Sequence, residues 1–95
     1  MNREQLLEEI VESQKQGLEI IRAKNMDYST NDDPFKNFRM WGKLGFAVRM
    51  SDKVSRIQQL ITNGRAEVID ESLEDTLLDI SNYAHLMLAY LKDEK

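Results

Sequence analysis

At 95 residues, with 41% hydrophobic and 32% charged content, the chain has the length of one small helical domain with a modest core. A net charge of −4 excludes a duplex nucleic-acid binder that relies on bulk electrostatics, and no apolar run approaches the ~20 residues a membrane helix needs. The lack of cysteine excludes disulfides, thiolate metal sites and cysteine nucleophiles, and a single histidine excludes a histidine-rich zinc site.

The stretch Met1–Glu9 is too acidic for a signal peptide, so the expected compartment is the cytoplasm. Over residues 3–24, Leu6, Leu7, Ile10, Val11, Leu18 and Ile21 recur at helical spacing, with Glu8, Glu12 and Glu19 on the far side. That periodicity predicts an amphipathic helix. Gly17 sits inside it at a cost of about 1 kcal/mol relative to alanine; a close helix crossing and simple tolerance both explain it.

Residues 25–45 break the pattern with turn and cap formers, yet hold Tyr28, Phe35, Phe38 and Trp41, with Phe46 just beyond. An aromatic-rich loop either packs under the helices or lines a ligand site. Asp33 as N-cap and Pro34 at the first helical position predict a short helix over Phe35–Trp41. The segment Lys24-Asn25-Met26-Asp27-Tyr28 has two readings. One is a helix end, with lysine at the negative dipole end and asparagine at the cap. The other is a recognition turn: Asn25 and Asp27 bond a base or ribose, Tyr28 stacks, and Lys24 meets phosphate.

Residues 45–62 return to helix, with Phe46, Met50, Val54, Ile57 and Ile61 as the apolar stripe. Arg49, Asp52, Lys53 and Arg56 occupy the adjoining strip, where the cations would clamp phosphates or pair with a neighbouring helix. Asn63-Gly64 is expected to end the helix in a left-handed cap. The last helix then runs from about residue 67 or 70 to 92, with Leu73, Leu77, Ile80, Ala84, Met87 and Leu91 as its expected core face. Its other side carries a carboxylate ladder, Glu71, Asp75 and Asp79, mixed with Leu78, Asn82 and Leu86. Two or three such acids suffice for magnesium, which keeps several waters and lowers the pKa of one that attacks phosphate. The competing reading makes Ser72 and Asp75 a capping box, with the acids complementing the helix dipole. His85 reads as a half-buried hydrogen-bond partner rather than a base, and the methionines as core filler.

These elements predict an all-α fold over residues 1–95: an antiparallel bundle of three main helices with a short helix in the 34–42 loop. Three helices make a thin core, so a homodimer or higher oligomer is expected, with Leu78, Leu86 and Ala89 helping to cover the second interface.

Read together, Lys24–Tyr28, Met50-Ser51-Asp52-Lys53-Val54-Ser55-Arg56 and Glu71–Tyr83 resemble the phage and bacterial family called nucleotide modification associated domain type one. The resemblance spans about residues 20–90 and implies an association with nucleotide or DNA-base modification. More distantly, the chain resembles the all-α nucleoside triphosphate pyrophosphohydrolases of MazG and dimeric dUTPase type, which hold magnesium on four acids from two helices. Asp79 matches the last of these acids and Asp52 one on the preceding helix. Thr76 and Arg49 stand where the other two would be, with Asp75 a turn from Asp79 as a substitute.

The expected function is therefore a MazG-like pocket binding a nucleotide, extending to cleavage of an NTP or dNTP to monophosphate and pyrophosphate. Asp75 and Asp79 would be the catalytic acids, with Asp52 and Glu71 completing the magnesium set. Arg49, Lys53, Arg56 and Lys24 would take phosphates, and Asn25, Asp27, Tyr28 and Tyr83 the nucleoside. One alternative is a non-catalytic module that sequesters a nucleotide or nucleotide signal, with cations replacing the metal's charge. Another is a helical interaction domain without a ligand. No membrane and no duplex nucleic acid are expected as partners, and a phage-encoded copy would work in the host cytoplasm.

Overall fold

The computed structural model describes residues 1–28, 33–64 and 66–94, and the side chains among them other than those of residues 25–28 and 66–71. Three helices carry the chain: α1 (Arg3–Tyr28), α2 (Gly42–Asn63) and α3 (Ala66–Asp93), with a 3-10 turn at Lys36–Phe38 between the first two. The fold is all-α, and no strand occurs among the described residues. Nor is any described helix long and apolar enough to cross a membrane.

Residues distant in sequence fix the topology. Phe46 packs on Tyr90, and Lys53 meets Asp79 further along, so α2 and α3 run antiparallel. α1 crosses α3 where Gly17 faces Asn82; a Cβ built on that glycine would lie 2.7 Å from Asn82 Oδ1. Of the two readings of Gly17, the close crossing is the one realised.

The core is aromatic and sits at one end of the α2–α3 hairpin. Phe46 is fully buried, with Phe35 and Tyr90 nearly so. Phe38 stacks on Phe46 at 4.2 Å between ring centroids, and Phe35 meets Tyr90 edge-on at 5.5 Å. Offset and edge-on pairs of this kind contribute about 0.5–1.5 kcal/mol each beyond their buried area. Met50, Leu86 and Met87 pack around the cluster, whereas Met40 stands exposed. Residues 33–41, ahead of α2, thus close over the hairpin's end as one wall of its core.

Several local expectations are corrected. α1 continues through Lys24–Tyr28 instead of turning there. Pro34 leads into a helical segment limited to Lys36–Phe38, and Asp33 Oδ1 accepts the Phe35 N–H at 3.1 Å. The left-handed glycine is Gly42 (φ 58°) at the start of α2, a conformation that suits a residue without Cβ. Gly64, by contrast, is extended (φ −80°, ψ 158°), and its N–H bonds Leu60 O. α3 begins at Ala66, so Ser72 lies well inside the helix and forms no cap; its carbonyl accepts the Thr76 hydroxyl at 2.7 Å. His85 is exposed rather than half-buried.

The largest correction concerns which faces point inward. On α3, Thr76, Asn82 and Tyr90 are buried, with Asp79, Tyr83 and Leu86 half-buried, while Leu77 and Ala84 of the expected core face are exposed. At ~100° per residue the interior face is rotated by roughly a quarter turn. α3 lies between α1 and α2, so the mixed acidic face is the one covered. α2 is rotated in the same sense: Lys53 points partly inward and Val54 and Ile61 outward.

Candidate functional site

The rotation of α3 carries Asp79 inward. Lys53 Nζ lies 3.1 Å from its Oδ2, and Lys24 Nζ, from the last turns of α1, lies 3.9 Å from its Oδ1. One carboxylate thus ties all three helices together, whereas Asp75, one turn earlier on the same strip, is exposed.

Beside this junction opens a cavity of about 450 Å³. α1 supplies Ile21 and Lys24, and α3 supplies Asp79, Asn82, Tyr83 and Leu86. α2 supplies Gly45 and Arg49, and the segment before it Asp33, Pro34, Lys36, Asn37, Phe38 and Trp41. Its volume falls in the range of small-molecule sites, roughly 300–1,000 Å³.

The charges in the wall differ in how they are committed. Arg39 grips Asp33 with two bonds, Nε to Oδ2 at 3.0 Å and Nη2 to Oδ1 at 2.8 Å, and reaches Asp93 at 2.9 Å. That guanidinium holds the Asp33 carboxyl below its ordinary value, and Asp33, followed by Asp93, raises the arginine in turn. Arg39 also lies over the rings of Phe35 and Tyr90, with Cζ 5.8 and 5.9 Å from their centroids. The Glu94 carboxylate bonded to the Tyr90 hydroxyl pushes that phenol upward. Arg39 therefore fastens the wall to the end of α3. Arg49 and Lys36, in contrast, line the cavity and make no ion pair with any described residue.

Of the residues singled out in the sequence, Lys24, Arg49, Asp79 and Tyr83 line the cavity, and Lys53 stands against it through Asp79. Asp52, Asp75 and Arg56 are exposed and lie outside it. The side chains of Asn25, Asp27, Tyr28 and Glu71 fall outside the described residues. Sequence reasoning missed Lys36, Asn37 and Asn82, and left the aromatic loop undivided between core and site. The loop is both: Phe35 and Phe46 are core, Trp41 is a 67% exposed ring at the cavity, and Phe38 serves each.

A family model described as nucleotide modification associated domain 1 matches residues 24–91. The chain belongs to this family. The match takes in every cavity residue except Ile21. No curated protein and no solved structure matches the chain.

The described donors do not fit a magnesium centre of the four-acid type. Asp79 is already held by two ammonium groups, and Asp33 by a guanidinium. Thr76, at one of the acid positions of the pyrophosphohydrolase pattern, is buried with its hydroxyl bonded back into its own helix. Arg49, at another, places a cation in the cavity. No group of three or more carboxylate or histidine side chains able to hold a metal occurs among the described residues. The lining suits an anion with an aromatic or ring-shaped body: it combines the cations Lys24, Lys36 and Arg49 with the rings of Phe38, Trp41 and Tyr83 and the amides of Asn37 and Asn82.

Proposed function

We propose that the cavity binds a nucleotide or nucleotide-like anion, in keeping with the family's association with nucleotide modification. The observation that carries this reading is Arg49, a guanidinium with no carboxylate partner among the described residues, in a cavity that Phe38, Trp41 and Tyr83 also line. A planar fork of donors suits phosphate oxygens. Lys36 and Lys24 add charge at the same rim, while Trp41 and Tyr83 offer stacking surfaces for a base. Binding of this kind places the protein with the free nucleotide pool of the cytoplasm.

Trp41 is the chain's one tryptophan, so its fluorescence reports on the cavity directly. Titration with NTPs, dNTPs and monophosphates should quench it, with matching heat in calorimetry. Arg49→Ala should weaken binding by at least about tenfold, the range for a hydrogen bond to a charged group. Release of pyrophosphate in magnesium, lost in Asp79→Asn, would establish the MazG-like hydrolytic version. The described donors give that version no support.

The Lys53–Asp79 pair favours a second reading, an interaction domain whose charged strips serve only to hold helices together. Neither heat nor quenching with any nucleotide, from a protein that remains folded, would leave that reading standing and defeat the first.

A further inference from the structure

We infer that the exposed half of α1 is an interface with a second copy of this chain, the two helices lying antiparallel. The inference is independent of what the cavity binds.

Every residue from Met1 to Gln16 is exposed, so about four turns of α1 project beyond the Gly17 crossing. An isolated helix shorter than ~12–15 residues is marginal in water. This one keeps Leu6, Leu7, Ile10 and Val11 between 44% and 53% exposed, and Leu18 beyond the crossing 48% exposed. Leu7, Val11, Leu18 and Ile21, with Gln14 between, follow the alternating four- and three-residue spacing of a coiled-coil seam. On the same exposed surface Leu7 and Val11 are flanked by Glu8, Glu12 and Lys15.

Area and charge select the occupant. The chain exposes 7756 Å², about 2,000 Å² more than a compact monomer of its mass. Its radius of gyration is 15.2 Å, against about 12 Å expected for its length. A standard interface takes roughly 800 Å² from each partner, less than half of that surplus, so the chain has area enough to seat a second copy. Along α1, residues 3–14 carry Glu4, Glu8, Glu9 and Glu12 against Arg3, and residues 15–28 carry Lys15, Arg22 and Lys24 against Glu19 and Asp27. A parallel pair would set acid on acid; an antiparallel pair sets acid on base. The register that places Leu7 on Leu18 of the second copy also places Glu8 near its Lys15. It brings the second copy's first turn alongside Ile21 and Lys24, which wall the cavity.

Sedimentation or light scattering over micromolar to millimolar concentrations tests this. The wild type should reach a species of twice 11.1 kDa. Leu7→Glu combined with Val11→Glu should weaken self-association by at least about tenfold, while the Trp41 emission of the folded aromatic end is unchanged. Glu8→Lys or Lys15→Glu alone should weaken it about two- to fivefold, and the two together should restore it. A wild type that stays monomeric throughout, a dimer indifferent to Leu7→Glu/Val11→Glu, or charge reversals whose losses add instead of cancelling would overturn the proposal.

Discussion

The aromatic end of the α2–α3 hairpin and the amino-terminal half of α1 use their apolar side chains in opposite ways. In the first, rings from three chain segments converge until Phe46 is wholly enclosed. In the second, aliphatic residues at helical spacing remain open to solvent from Met1 to Gln16. Periodicity marks a face that can be buried; whether it is buried depends on what the rest of the fold brings near it. The aromatic end is the stability centre, and α1 is fastened to it through the Gly17–Asn82 crossing and the Lys24–Asp79 pair.

Removing the centre should have the largest effect. Phe46→Ala leaves a void beneath Phe38 and Tyr90 and should cost about 3–5 kcal/mol, lowering Tm by roughly 15 °C or more in a chain of this size. Under dilution to the single chain, Leu6→Ala on the exposed helix should move stability by no more than about 0.5 kcal/mol. Equal losses at the two positions in thermal melts would erase the contrast.

A smaller effect is expected where the regions join. Gly17→Ala gains about 1 kcal/mol of helix propensity but drives a methyl into Asn82 Oδ1, at a packing cost of about 1–3 kcal/mol. The net loss should approach 1 kcal/mol and vanish when Asn82→Ala removes the clash. Hydrogen exchange should locate it: amides of α1 lose protection while those around Phe46 keep theirs.

The smallest effect lies at the surface clamp. Because Arg39 lowers the Asp33 carboxyl in the folded chain, the pair's stabilisation is present above the ordinary carboxylate value of 3.8 and is lost as pH falls through the lower folded value. An NMR titration should place the Asp33 midpoint below 3.8, and Arg39→Met should return it toward that value. The exchange should leave stability nearly unchanged, because solvent screens an exposed pair.

The helices themselves were legible from apolar spacing, and the ends were less so. Lys24–Tyr28 reads as a cap by residue type, yet the helix continues through it, because a local signal competes with whatever packs beyond. The inward face of α3 was hidden for a related reason. Its leucines point one way by hydropathy, but the aromatic rings and the Lys53–Asp79 pair hold it the other way. Part of the site was visible, Arg49, Lys53 and Asp79 in the charged strips and Lys24 in the segment at the end of α1. Lys36 and Asn37 were not, since a three-residue 3-10 turn has no period to read.

The cavity wall includes the end of α1 on one side and the residues ahead of α2 on the other. A molecule held there is therefore also a strut between the fastened and the loosely fastened parts of the chain. Its binding free energy adds to the thermal stability of the whole by mass action. By reciprocity, any contact that steadies α1 tightens the grip on that molecule by the same factor that the molecule steadies α1.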